Sequence, residues 1–297
     1  MSALLVTAMP GNATLARALT QTLGAKFVEL ELHAFPDGES YLRFLCEVTG
    51  RTLVVVCTLN LPNEKMVPLL FAAATARDLG ATRVGLVAPY LAYMRQDRRF
   101  KPGEAVTSRE IARLLSDAFD WLVTVDPHLH RYKSLSEIYR IPTRVVHAAP
   151  LISQWIRQNA PDALIIGPDS ESHQWVAAVA RDADAPYAVL DKVRRGDRSV
   201  EISIDNLPPL DGRTPVLVDD IISSGETMIE AVRLVRTLSA KPAVCIAVHG
   251  LFSDNSDRIL ARAGARVITS NTIPHATNGV DVSGRLASSI KEVLDQV

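Results

Sequence analysis

The chain has 297 residues, of which 47% are hydrophobic and 22% charged, and its formal net charge is -1. That is ample for two compact domains, and the near-neutral balance sets aside a general nucleic-acid binder. No run approaches the ~18 apolar residues needed to span a bilayer, and the first ten residues lack the basic-then-apolar pattern of a leader. A cytoplasmic location is expected, with neither nucleic acid nor membrane as partner. The cysteines, Cys46, Cys57 and Cys245, are far apart and suit buried thiols in a reducing compartment.

Short apolar runs alternate with amphipathic stretches along the chain. Residues 4–8 read as a buried strand, and Asn12 is placed to cap a helix ending near Gly24. Residues 28–32 and 53–56 are further strand candidates. Residues 64–79 carry apolar side chains at helical spacing and stop at Gly80, and 84–88 return to strand. Thr107-Ser108-Arg109-Glu110 has the form of a capping box opening a helix, followed by a strand at 121–125. A break falls near His147-Ala148-Ala149-Pro150. The second half repeats the scheme, with strands at 163–166, 187–190, 216–218, 244–248 and 267–269 and a helix at 226–238. Strands joined by helical crossovers imply parallel sheets covered on both faces. Ligands of such sheets bind beyond the carboxyl ends of the strands, so the loops after strands matter most.

The richest loop follows Val216-Leu217-Val218. Asp219 and Asp220 come directly after the strand, and Ser223-Ser224-Gly225-Glu226-Thr227 opens the next helix. Amide groups at a helix N-terminus bind phosphate, and serine and threonine hydroxyls add donors. Adjacent carboxylates accept hydrogen bonds from vicinal ribose hydroxyls. Local chemistry leaves two readings open, a sugar-phosphate cradle or an acidic turn before a capped helix. Phe35-Pro36-Asp37-Gly38-Glu39 contains a turn tripeptide. Arg95-Gln96-Asp97-Arg98-Arg99 puts basic side chains after a strand, which suits a polyphosphate or a solvated loop.

These segments together resemble the ribose-phosphate pyrophosphokinases. The Asp219 segment resembles the phosphoribosyl-pyrophosphate loop of the type I phosphoribosyltransferase fold, which transferases and pyrophosphokinases share. Phe35 to Glu39 resembles the pyrophosphokinase adenine loop, which implies that Phe35 stacks on the base of an ATP held by a neighbouring subunit, with Asp37 and Glu39 at its polar edge. Arg95, Gln96, Asp97 and Arg99 resemble the ATP-phosphate segment. His128, in Val125-Asp126-Pro127-His128, and Asp169, in Gly167-Pro168-Asp169, match residues near the family's metal. Lys192 and Arg194 match its catalytic flexible loop, and Ser270-Asn271-Thr272-Ile273-Pro274 its late segment. The matches run in family order over nearly the whole chain.

The resemblance implies an α/β protein of two similar type I phosphoribosyltransferase-like domains, each a mostly parallel sheet flanked by helices. The first, on the ATP side, is expected at 1–148, and the second, binding ribose phosphate, at 149–283. The tail from about residue 284 is expected to pack back on the first domain. The implied reaction moves the β,γ-pyrophosphoryl group of MgATP to the 1-hydroxyl of ribose 5-phosphate. Asp219, Asp220, Ser223, Ser224, Gly225 and Thr227 would hold the sugar phosphate, Lys192 and Arg194 would be catalytic, and His128 and Asp169 would serve Mg²⁺. Self-association to at least a dimer follows from the shared adenine loop. Glu226 and the run Ser170-Glu171-Ser172 depart from the family pattern, which favours small residues there. The rival readings are a phosphoribosyltransferase, which does not explain Phe35 to Glu39, and a non-catalytic regulatory homologue, against which Lys192, Arg194 and His128 argue.

Overall fold

The computed structural model describes residues 4–194, 200–203, 210 and 212–296, with side chains except those of Glu171, Gln174, 191–194 and 200–203. It divides into two compact units, Met1–Val146 with Ser283–Val297, and His147–Val282.

The first unit begins β1 (Leu4–Ala8), α1 (Ala13–Leu23), β2 (Lys26–Phe27), β3 (Leu30–Ala34) and β4 (Ser40–Phe44). It continues β5 (Thr52–Val56), α2 (Pro62–Asp78), β6 (Arg83–Ala88), α3 (Thr107–Ala118), β7 (Trp121–Val125) and β8 (Thr143–Val146). Six strands form one parallel sheet in the order β2-β1-β5-β6-β7-β8, and β3 pairs with β4 as a separate antiparallel hairpin. The central strands are almost wholly apolar, Thr124 being a buried exception in β7, because helices cover both faces and neither side of the strand meets water. Gly85 lies opposite Trp121 in the β6–β7 register, and the buried indole occupies the space a Cβ would need there.

Two local expectations give way to long-range partners. The strand expected at 28–32 is split: Lys26–Phe27 pairs with β1, while Leu30–Ala34 pairs with β4. Alternation of apolar residues predicts extended backbone but not its partner, and the chain changes partner at Val28, whose N–H still donates to Val6 O at 2.8 Å. Neither expected cap forms. Asn12 precedes α1, yet its Oδ1 accepts from Thr58 N–H at 2.8 Å and its Nδ2 donates to Met9 O and Pro10 O at 3.2 and 3.0 Å. Thr107 is already the first residue of α3, and its hydroxyl donates to Gln96 Oε1 at 3.3 Å. In both cases the side chain ties neighbouring loops together instead of closing a helix end.

The second unit holds α4 (Ala149–Asn159), β9 (Ala163–Gly167), α5 (His173–Ala183), β10 (Tyr187–Val189), β11 (Asp191–Arg194), β12 (Val200–Ser203) and β13 (Thr214–Ile222). It ends with α6 (Glu226–Leu238), β14 (Ala243–Gly250), α7 (Ser256–Arg262), β15 (Ala265–Ser270) and β16 (Asn278–Val280). Its six-stranded parallel sheet runs β10-β9-β13-β14-β15-β16, matching the first sheet strand for strand, and β11–β12 occupies the place of the β3–β4 hairpin. The α/β architecture of two similar parallel-sheet domains is therefore as expected. From β16 the chain passes to α8 (Ser283–Leu294), which packs on α1 and on β7 and β8 of the first unit through Leu286, Ala287, Ile290 and Val293. In each unit the strand order reverses at one place, between β1 and β5 and between β9 and β13. Such a reversal opens a crevice beyond the strand ends.

Candidate functional site

In the second unit the crevice lies where β9 stops. Strand β13 pairs with β9 only from Thr214 to Leu217, but with β14 as far as Ile222. The two acids therefore stand on the last part of the strand and not after its end, as the apolar run 216–218 had suggested. Among the described residues β9 does not pair with β13 beyond Leu217, and there the Asp219 carboxyl feels the charges of Asp220 and of Asp169, which follows β9. Burial first, then the charges of Asp220 and Asp169, push the Asp219 carboxyl well above the ordinary carboxylate range, partly opposed by a hydrogen bond from Asp220 N–H to Asp219 Oδ1 at 2.9 Å. Asp219 thus stands in an environment that disfavours its charged form.

The turn after β13 is shaped from beneath. Gly225 adopts φ +73° at the start of α6, a conformation that disfavours a side chain. A Cβ there would come within 3.0 Å of Ser256 Cβ. Ser256 is fully buried, and its hydroxyl donates to Ser223 O at 2.7 Å. Ser223 and Ser253 hydroxyls share a hydrogen bond at 3.1 Å, while Leu251 and Phe252 N–H groups donate to Ile222 O. Phe252, Asp254 and Asn255 hold φ of 49°, 57° and 57°, the strained backbone that functional loops accumulate. Ser224 and Glu226 are exposed, and Ser223, Gly225 and Thr227 are half-buried. The turn thus offers hydroxyls and the first-turn amides of α6 beside the acidic crevice, which suits a phosphate on a sugar. On the β9 side, a Cβ at Gly167 would collide with the Ser172 hydroxyl, which donates to Asp169 O at 2.6 Å and fixes the turn carrying the acid.

In the first unit, the hairpin tip is a turn with Phe35 N–H donating to Glu39 O at 2.7 Å and Gly38 N–H to Phe35 O at 2.9 Å. Gly38 takes φ +93°, as a three-residue hairpin loop requires. Phe35 is 45% exposed despite its size, and it stands edge-on to His33 and Tyr41, which stack on each other at 4.5 Å. Asp37 and Glu39 are exposed, Asp37 accepting from Glu39 N–H at 3.2 Å. After β6, Arg95 and Arg99 are exposed and Gln96 is half-buried. Asp97 is placed differently from these neighbours: its side chain is 2% exposed and paired with Arg131. Two residues with strained backbone flank the expected groups, Tyr93 at φ 64° before Arg95 and Asp126 at φ 30° before His128. His128 is half-buried, its ring 6.3 Å from that of His130.

Lys192 and Arg194 lie on β11, antiparallel to β12, and their side chains fall outside the described residues, as does all of 195–199. Sequence reasoning missed Arg131, Tyr132, Ser253 and Ser256, because each acts on a loop at least 24 residues away in sequence. Among the described residues no three histidine, cysteine or acidic side chains are placed to hold a metal ion. The Asp169 carboxylate, close enough to Asp219 to raise its titration, is nevertheless a hard oxygen donor. That chemistry fits Mg²⁺, which keeps waters and shares substrate phosphates instead of a closed protein cage. No helix among the described residues is long and apolar enough to cross a membrane.

Known proteins resemble the chain over its whole length. Residues 4–118 match the family model described as the N-terminal domain of ribose phosphate pyrophosphokinase, and residues 134–284 match the phosphoribosyl transferase domain. A ribose-phosphate pyrophosphokinase of Methanopyrus kandleri is 35% identical over 98% of this chain and 99% of its own. One from Sulfolobus acidocaldarius is 34% identical over 92% and 95%. The crystal structure of phosphoribosylpyrophosphate synthetase from Mycobacterium smegmatis covers 99% of both chains with a TM-score of 0.84 at 26% identity.

Proposed function

The chain belongs to the ribose-phosphate pyrophosphokinase family, and we propose that its two units divide the substrates of that reaction, the first taking ATP and the second ribose 5-phosphate. It is a transferase that makes phosphoribosyl pyrophosphate. The observation that carries the division is the end of β13 beyond its pairing with β9, where Asp219 and Asp220 stand beside a hydroxyl-rich turn at the N-terminus of α6.

In this reading Asp219 and Asp220 accept hydrogen bonds from the ribose hydroxyls, and those donors relieve the charge that burial and Asp169 make unfavourable at Asp219. Ser223, Ser224, Gly225 and Thr227 hold the 5-phosphate. Phe35 stacks on adenine, with Asp37 and Glu39 at the polar edge of the base. Its exposure at the hairpin tip suits an ATP bound by a second copy of the chain, so the working assembly is at least a dimer. Arg95, Gln96 and Arg99 meet the phosphates, and Asp97 supports their loop from below.

The bond that forms joins the ribose O1 to the β-phosphorus. The bond that breaks joins that phosphorus to the oxygen bridging it to the α-phosphorus, and the oxygen leaves on AMP. Arg95, Lys192 and Arg194 neutralise charge on the group in transfer. Mg²⁺, when bound, would supply further charge neutralisation; Asp169 in the second unit and His128 in the first, the latter through water or a phosphate, are each candidates to hold such an ion. Positioning and charge neutralisation carry the rate in such transfers. The test is AMP release from ATP, which should require ribose 5-phosphate. A chain that instead consumed phosphoribosyl pyrophosphate with a nucleobase would be a phosphoribosyltransferase.

A further inference from the structure

The loop after β6 and the loop after β7 meet through one buried carboxylate. Asp97 accepts from Arg131 Nη1 at both oxygens, at 2.8 and 3.1 Å. Its side chain is 2% exposed, against 37% for Arg131. The adjacent Tyr132 is buried and grips the same residue by its main chain, its hydroxyl lying 3.2 Å from Asp97 O and 3.1 Å from the Ser108 hydroxyl in the first turn of α3. Phe100 completes the arrangement, with the Arg98 and Arg131 guanidinium carbons 4.9 and 5.8 Å from its ring centre. A buried ion pair adds little net stability, because desolvation offsets attraction. Fixed geometry is what such a pair supplies. The geometry fixed here is that of Arg95, Gln96 and Arg99 relative to His128, which lies three residues before Arg131.

We propose that Asp97 and Arg131 are positioning residues for ATP. The pair clamps the phosphate-binding loop after β6 to the His128 loop after β7, and Asp97 acts through Arg131 and not on the nucleotide. The proposal rests on the assignment of ATP to the first unit. The two partners are unequal. Removing the Arg131 guanidinium strands a buried carboxylate, whereas neutralising Asp97 leaves a guanidinium that water still reaches.

The test is steady-state AMP formation by Asp97→Asn, Arg131→Met, Arg131→Lys and the Asp97→Asn/Arg131→Met double variant, with melting temperature measured alongside. Asp97→Asn should raise the KM for ATP about tenfold and Arg131→Met more, as expected when reacting groups shift by a fraction of an ångström. The KM for ribose 5-phosphate should stay near wild type. The double variant should be no worse than Arg131→Met, because both changes break one link. Arg131→Lys keeps the charge without the planar fork and should fall between wild type and Arg131→Met. The proposal is overturned by wild-type KM for ATP in both single variants, by equal rises for both substrates, or by effects that multiply in the double variant. Wild-type protein inert towards ATP and ribose 5-phosphate would overturn the assignment beneath it.

Discussion

Gly225→Ala probes the sugar-phosphate turn most sharply. Two penalties follow from the structure. At φ +73° an L-residue is disfavoured by about 1 kcal/mol. The added Cβ would also sit 3.0 Å from Ser256 Cβ, so the turn or α7 must move by a few tenths of an ångström, which we take as about 1 kcal/mol more. Together, about 2 kcal/mol corresponds to roughly a 30-fold weaker hold on the ligand if the strain falls on the phosphate-binding conformation. Initial rates of AMP formation at saturating ATP should therefore show the KM for ribose 5-phosphate rising on that scale, with the KM for ATP little changed. Gly24→Ala is the matched control. It meets the same disfavoured backbone at φ +62° with no atom within 4 Å, and it lies at the end of α1. It should lower the melting temperature and leave both KM values alone. A Gly225→Ala protein that kept its KM for ribose 5-phosphate would refute the assigned role of the turn.

Two further outcomes follow from the same chemistry. Because the Asp219 carboxyl is held above the ordinary range by burial and by Asp220 and Asp169, the fold favours its protonated form, and that contribution is present at acid pH and lost as pH rises through the raised value. Asp219→Asn should accordingly raise the melting temperature of the ligand-free protein at neutral pH, with the gain shrinking towards about pH 4, while ribose 5-phosphate binding is lost in a titration; a neutral-pH melting temperature at or below wild type contradicts the electrostatic account. Lys192→Ala should lower turnover by a factor on the order of a thousand while ribose 5-phosphate still binds, and near-wild-type turnover would remove Lys192 from the chemistry.

What could be read from the sequence was what is encoded locally. The apolar strand before Asp219, the glycine at 225 and the helix from Glu226 lie within one short segment, so their order announced both the elements and the turn. The same holds for Pro36-Asp37-Gly38, whose residues dictate the hairpin tip. What escaped depends on partners distant in the chain. Asn12 and Thr107 have the side chains of helix caps, but Thr58 and Gln96 claim them. The extension of β13 through its two acids is set by β14, which pairs as far as Ile222, while β9 ends sooner. The burial of Asp97 also escaped, since a run of polar residues does not reveal which one turns inward and its partner Arg131 lies 34 residues on. Glu226, a departure from the family pattern, is exposed on the first turn of α6.

The central claim concerns which phosphorus is attacked, and ³¹P NMR of a reaction holding the protein, Mg²⁺, ATP and ribose 5-phosphate tests it directly. Attack at the β-phosphorus predicts AMP and phosphoribosyl pyrophosphate accumulating in equal amounts, with no ADP. Formation of ADP with a ribose bisphosphate would place the attack at the γ-phosphorus and contradict the account.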